Sequence, residues 1–200
     1  MAKEIIISRS EMNNFHEIRE AYEKVLINDA QGLKGIYQKN PDDLFNRLTA
    51  CRDTIFHIAA YIGSEEVLQV LVKMVPQSKK RELLKMKNIH GNTILHEVAT
   101  TTNIKAADVI IRDLLFSDGP LNHETDIRER EEILADQNKL GESPLFRAAE
   151  YGNKMMVMYL AREIERVGNL HNHFKRNDGI SILHIAVIFQ KFGISIFLNI

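Results

Sequence analysis

Apolar positions along the chain recur at helical rather than strand spacing, and the helices they predict come in pairs. Ile18, Ala21, Tyr22, Val25 and Leu26 fall at i, i+3, i+4, i+7 and i+8, one face of a helix. A second helix, over about 30–38, presents Leu33, Ile36 and Tyr37 before Pro41 ends it. Phe56, Ala59 and Ala60 share the next face, which Gly63 closes with a left-handed stop. Ser64 then caps a helix striped with Val67, Leu68, Val70 and Leu71. The pattern resumes with Ile94, Leu95, Val98 and Ala99, paired with Ala106, Val109 and Ile110. Between them Thr100-Thr101-Thr102 replaces the stop glycine, so an irregular turn is expected. Leu145, Ala148 and Ala149, stopped by Gly152, pair with Met156, Val157, Tyr159 and Leu160 on a helix over 153–167. A last first-helix spans 181–190.

Each first helix after the opening pair follows the same phrase, a tight turn and a capping hydroxyl. Asn88-Ile89-His90-Gly91-Asn92-Thr93-Ile94-Leu95-His96 is the clearest copy. The others are Thr49-Ala50-Cys51-Arg52-Asp53-Thr54-Ile55-Phe56-His57, Asn138-Lys139-Leu140-Gly141-Glu142-Ser143-Pro144-Leu145-Phe146 and Arg176-Asn177-Asp178-Gly179-Ile180-Ser181-Ile182-Leu183-His184. His57 to His96 is 39 residues, His96 to Phe146 is 50, and Phe146 to His184 is 38. Self-similarity at such periods marks a stacked repeat protein. The phrase places Thr54, His57 and Gly63, then Gly91, Thr93 and His96, in structural roles. Gly141, Ser143, Pro144 and Gly152 serve the fourth copy, and Gly179, Ser181 and His184 the last. A row of Phe56, Leu95, Leu145 and Leu183 is expected to line up inside.

The linkers repeat as well. Asp43-Leu44-Phe45, Glu82-Leu83-Leu84 and Glu132-Ile133-Leu134 each set an apolar pair ahead of a turn, suited to plugging the seam between units; the last unit lacks a clear copy. Shifting the opening pair by 34 lays Tyr22 on Phe56, Val25 on Ala59, Asp29 on Gly63 and Leu33 on Val67, a degenerate first repeat. The long third interval holds an insertion over 116–131. It breaks at Ser117-Asp118-Gly119-Pro120 and resumes as Ile127-Arg128-Glu129-Arg130-Glu131-Glu132, where a solvated helix is favoured over a projecting finger. The fold expected is therefore all-α: a flexible lead-in over 1–17, then units at about 18–42, 43–81, 82–130, 131–168 and 169–200, the last truncated. Phe189, Phe192, Ile196, Phe197 and Leu198 stand at that end without a polar cap, suited to a partner or self-association. A truncation, an unusual gene product and a partner-dependent piece stay open.

Charge narrows the partners. With 26 basic and 27 acidic residues the net charge is −1, which offers no electrostatic footprint for nucleic acid. No apolar run approaches the roughly 20 residues of a membrane span. Cys51, the single cysteine, excludes an internal disulfide and fits a cytoplasmic setting. No catalytic residue, cofactor site or metal site is expected. His57, His96 and His184 recur once per unit, as structural groups do and catalytic ones do not. His171 and His173 lack further ligands at a recognisable spacing. Met155, Met156 and Met158 read as core.

These phrases resemble the ankyrin repeat, whose turn glycine is followed by Thr-Pro-Leu-His-x-Ala-Ala and a later glycine. Thr54-Ile55-Phe56-His57-Ile58-Ala59-Ala60 with Gly63, and Thr93-Ile94-Leu95-His96-Glu97-Val98-Ala99, keep most of it. Ser143-Pro144-Leu145-Phe146-Arg147-Ala148-Ala149 keeps the proline, and Ser181-Ile182-Leu183-His184-Ile185-Ala186 keeps the histidine. The resemblance covers about 18–200 and implies a solenoid of helix-turn-helix units. The long linkers and the phrase over 138–149 look like plant ankyrin proteins of the accelerated-cell-death type. That likeness implies stress and defence signalling at the cytosolic face of a membrane, through a multi-pass membrane domain this chain does not contain.

The function expected is non-catalytic protein–protein interaction; the alternative is the cytosolic part of a membrane signalling or channel-like protein. Candidate contact residues are the turn tips Arg52, His90, Asn92, Lys139, Leu140, Glu142, Asn177 and Asp178. Tyr61, Glu97, Arg147, Glu150 and Tyr151 complete the set on the exposed sides of first helices.

Overall fold

The computed structural model describes residues 9–117 and 124–188, the first seven of them as backbone alone. Every regular element among these residues is helical; one isolated bridge pairs Lys175 with Ser181. The helices are α1 (Arg9–Leu26), α2 (Ala30–Tyr37), α3 (Ile55–Ile62), α4 (Glu65–Met74), α5 (Lys80–Lys85) and α6 (Ile94–Ala99). They continue as α7 (Ile104–Ile110), α8 (Glu124–Leu134), α9 (Pro144–Glu150), α10 (Lys154–Glu165) and α11 (Ile182–Ile188). No helix among the described residues is long and apolar enough to cross a membrane.

The pairs pack in two rows. α3 lies on α6, α6 on α9 and α9 on α11, while α2 lies on α4, α4 on α7 and α7 on α10. Phe56, Leu95 and Leu145 are fully buried in the first row, Leu68, Ile110 and Leu160 in the second. Each such side chain contributes roughly 1.5–3 kcal/mol by leaving water, which is what holds short helices in place. The expected row breaks at its last member. Leu183 is 44% exposed, and Ile182 takes the buried place on α11. The apolar positions Phe189, Phe192, Ile196, Phe197 and Leu198 lie outside the described residues.

The start of the chain departs from expectation in two ways. α1 begins at Arg9, so helix replaces a flexible lead-in over 9–17; residues 1–8 lie outside the described residues. Glu11, Met12 and Glu17 are good helix formers that an apolar-period reading passes over. The offset between the first two pairs is also 35 rather than 34. Asn28, at φ 57, holds the left-handed position that Gly63 holds at φ 73. Asp29 then caps α2 through Gly32 N, as Ser64 caps α4 through Val67 N. This register sets buried Ala21 on Phe56, Val25 on Ala60 and Leu33 on Leu68, and leaves Tyr22 40% exposed.

The linker pairs bury except for one member: Leu44, Leu83, Leu84, Ile133 and Leu134 are each at most 2% exposed, while Phe45 is half-buried against the core. In the last unit, where no copy is legible, His173 and Phe174 fill the seam at 1% and 7%. The charged run of the insertion is not simply solvated. Arg130 is 1% exposed, its guanidinium 4.9 Å from the Phe116 ring, and Glu129 bonds Lys85 at 3.0 Å. Thr100 and Thr101 close α6 by donating their hydroxyls to the carbonyls of Glu97 and Val98, without a left-handed stop.

Candidate functional site

Four turns project from the first-helix row, three of them closed by the same bond and the first by one that spans a residue more. Asn88 N donates to Asn92 O at 3.0 Å, Asn138 N to Glu142 O at 3.0 Å, and Arg176 N to Ile180 O at 2.8 Å. In the first turn Leu48 N reaches Asp53 O at 2.7 Å. Gly91, Gly141 and Gly179 hold φ between 79 and 83 there, and Arg52 takes the same position at φ 62. Neighbouring turns are laced together: Ile89 N donates to Cys51 O, Lys139 N to His90 O, and Asn177 N to Leu140 O, at 2.8, 3.0 and 3.4 Å.

The repeated histidines tie each turn to the next helix start. The Nδ1 of His57 accepts from the Thr54 backbone N–H and pairs with the Thr54 hydroxyl at 2.8 Å. Its Nε2 reaches Asn92 O, in the following turn, at 3.1 Å. His96 repeats this with Thr93 and with Glu142 O at 2.8 Å. These bonds fit the Nε2–H tautomer and leave neither ring a free lone pair for a substrate. Burial outweighs the carbonyl bonds and lowers both rings from 6.5 to about 4. His184 keeps the Ser181 half of the pattern at 2.7 Å but stands exposed. Ser143, with Pro144 following, caps α9 through Phe146 N. Gly152, at φ 74, ends the α9 turn as Gly63 ends α3.

Beneath the turn tips runs a continuous polar floor. Asn88 Nδ2 donates to both Asp53 Oδ1 and Glu97 Oε1, each at 2.9 Å. Asn92 Nδ2 adds a second bond to Glu97 Oε1 at 2.9 Å. Asn138 Nδ2 joins Asn92 Oδ1 at 2.9 Å to Glu142 Oε2 at 2.7 Å. Glu142 then meets Arg176 Nη1 at 3.2 Å and Arg147 Nη1 at 3.7 Å. Burial raises the Glu97 carboxyl above its ordinary range, opposed by the Asn92 amide and the Arg147 charge.

Above this floor opens a groove of about 720 Å³. Of the expected contact residues it gathers Tyr61, His90, Asn92, Glu97, Lys139, Leu140, Glu142 and Arg147. Tyr61, His90, Lys139 and Leu140 are exposed rim. Asn92, Glu97 and Glu142 are not: at 6%, 8% and 0% exposure they are floor, because their side chains complete the hydrogen bonds of buried turns. Arg147 is likewise only 16% exposed, held by Glu142, Glu150 and the Tyr151 ring. Arg52, Asn177 and Asp178 are exposed but lie off the groove, as do Glu150 and Tyr151. The groove also takes in Tyr22, Cys51, Asp53, Asn88 and Asn138, which the sequence reading passed over as binding residues. The recurrence of Thr49, Asn88 and Asn138 at one place in the phrase was the available signal.

Among the described residues no three His, Cys, Asp or Glu side chains converge to hold a metal ion. His173 is buried with both ring nitrogens unpartnered, and His171 is exposed against Asn169. No family model matches the chain, and a search of curated proteins found no match.

Proposed function

We propose that the chain is a protein–protein interaction module, a stack of ankyrin-type helix pairs that grips a partner segment in the groove beneath its turn tips. The observation that carries this reading is the groove itself, about 720 Å³, spanning three successive turns on a hydrogen-bonded floor. Its rim exposes Tyr22, Tyr61 and Leu140 at 40%, 63% and 59%, apolar surface that a partner would cover. The ankyrin reading draws support from the laced turns and from His57 and His96, each bonding the carbonyl of the next turn. A rigid floor under a mixed aromatic rim suits recognition of an extended segment. A role in plant stress or defence signalling rests on the resemblance of the repeat phrases.

The test is affinity capture from plant tissue with the wild-type chain and with Tyr61→Ser/Leu140→Ser, a surface change that leaves the floor intact. Partners held by the groove are expected to drop out with the variant. An identical partner set from both would place the binding surface elsewhere.

A further inference from the structure

We infer that the outward face of α11 pairs with the same face of a second copy of the chain, joining two molecules end to end about a twofold axis. This surface is separate from the groove, and the inference stands whether or not the groove holds a partner. It continues an interface already repeated along the first-helix row, where α3 meets α6, α6 meets α9 and α9 meets α11. On α3 the side turned to the following unit carries Phe56, His57 and Ala60, and His57 Nε2 crosses to Asn92 O there. These three, and the residues at the corresponding places on α6 and α9, are each at most 1% exposed. On α11 the same places hold Leu183, His184 and Val187. All three are exposed, the two apolar ones at 44% and 57%.

The face carries the chemistry that joins units inside the molecule. His184 Nδ1 accepts from the Ser181 backbone N–H at 3.1 Å, so Nε2 bears the hydrogen, as in His57 and His96. Those two use Nε2 to bond the next turn, whereas His184 Nε2 meets no acceptor among the described residues. No residue from Ile182 to Ile188 carries a formal charge. The opposite end of the stack is built differently. The register of 35 puts Glu20, Glu23 and Lys24 of α1 where α3 has Ile55, Ile58 and Ala59. Glu23 pairs with Arg19 at 2.8 Å in the open. Seating α11 on the α1 end of another copy would strip water from these charges in exchange for apolar contact, so head-to-tail growth is disfavoured. Two α11 faces bury apolar surface on both sides, and a contact of like with like closes after two copies.

The experiment is sedimentation equilibrium of the full chain from micromolar to millimolar concentration. Leu183→Glu/Val187→Glu, the milder Val187→Lys and the groove variant Tyr61→Ser/Leu140→Ser are run beside the wild type. Expected is a wild-type mass that rises from one chain towards two and stops there. Both α11 variants change exposed positions only and should keep the unfolding midpoint measured at the lowest concentration. Each should raise the dissociation constant roughly tenfold or more. The groove variant should associate as the wild type does, which separates the two surfaces. A mass that stays at one chain would overturn the inference and leave the face to residues 189–200 or to another protein. So would dimers that survive both α11 variants, and so would masses that grow past two. The wild-type series needs no variant to fold.

Discussion

Arg52 occupies, at φ 62, the turn position that Gly91, Gly141 and Gly179 fill elsewhere. A left-handed non-glycine residue costs about 1–2 kcal/mol, while glycine brings a backbone-entropy penalty of roughly 0.5–1 kcal/mol. The first term wins, because the Arg52 side chain is exposed and only its backbone is used, donating to Thr49 O and accepting from Arg47. Arg52→Gly is therefore expected to stabilise the protein by about 0.5–1 kcal/mol, read as a higher urea midpoint at unchanged slope. Histidine gives a second residue-scale expectation. Burial lowers His57, His96 and His173 to about 4 from 6.5. The unfolded chain thus takes up protons near 6.5 while the folded one resists until about 4, so stability is full above that window and falls through it. Unfolding at pH 5 should take up between about two and three protons, measurable from the pH slope of the unfolding free energy. Glu97, with its carboxyl raised, works the opposite way, but as one group against three. His173→Leu should remove close to one of those protons. It should also leave stability equal or higher by about 1 kcal/mol, since both ring nitrogens are buried without partners.

At the scale of the turn, two glycines with nearly the same dihedral have different surroundings. A Cβ on Gly141 would stand 2.5 Å from the backbone nitrogen of Asn177, in the next turn; on Gly179 it would meet nothing within 4 Å. Both positions strain an L-residue, at φ 81 and 83, but only the first forces neighbouring turns apart. Gly179→Ala is expected to cost about 1 kcal/mol and Gly141→Ala at least about twice that, by thermal or urea unfolding of the two variants side by side. The contrast also shows what could be read from letters. The glycines, hydroxyl caps and histidines of the turn phrase were legible because each has a local job at a fixed spacing in the phrase, the histidine's Nδ1 meeting the hydroxyl three residues back even though its Nε2 reaches the next turn. The floor was not. Asn92, Glu97 and Glu142 are polar residues beside a turn, the ordinary signature of exposure, yet the amides of Asn88, Asn92 and Asn138 turn inward to meet them, the last also reaching back to Asn92 in the preceding turn. Asn28 hid the first pair for a similar reason, since it takes the left-handed bend without announcing it as glycine does. The α8 run reads as charged all round. Only the fold brings Phe116 and Lys85 to the buried or paired members Arg130 and Glu129.

In the molecule as a whole, each first helix touches the one before and the one after, so stability should behave as a chain of neighbour terms rather than one shared core. Helix pairing and the apolar linkers made that arrangement legible, whereas Leu183 shows where periodicity stops deciding burial. It keeps the position of Phe56, Leu95 and Leu145 but stands on α11, the last described helix, where α9 covers one side. Neighbour coupling can be measured directly. Ile55, Ile94 and Ile182 occupy the same place in their phrases and are each fully buried, on α3, α6 and α11. Shortening any one to valine should cost about 0.5–1.5 kcal/mol, small enough for double variants to stay folded. Ile55→Val with Ile94→Val alters helices that pack together, and the pair is expected to depart from additivity by at least about 0.5 kcal/mol. Ile55→Val with Ile182→Val alters helices separated by two intervening members of the row. Those costs should add within about 0.3–0.5 kcal/mol. Equal coupling in the two cycles, measured by urea unfolding under one set of conditions, would mean that the molecule responds as a single continuous core. The groove floor would then be stiffened from both ends instead of by its immediate neighbours.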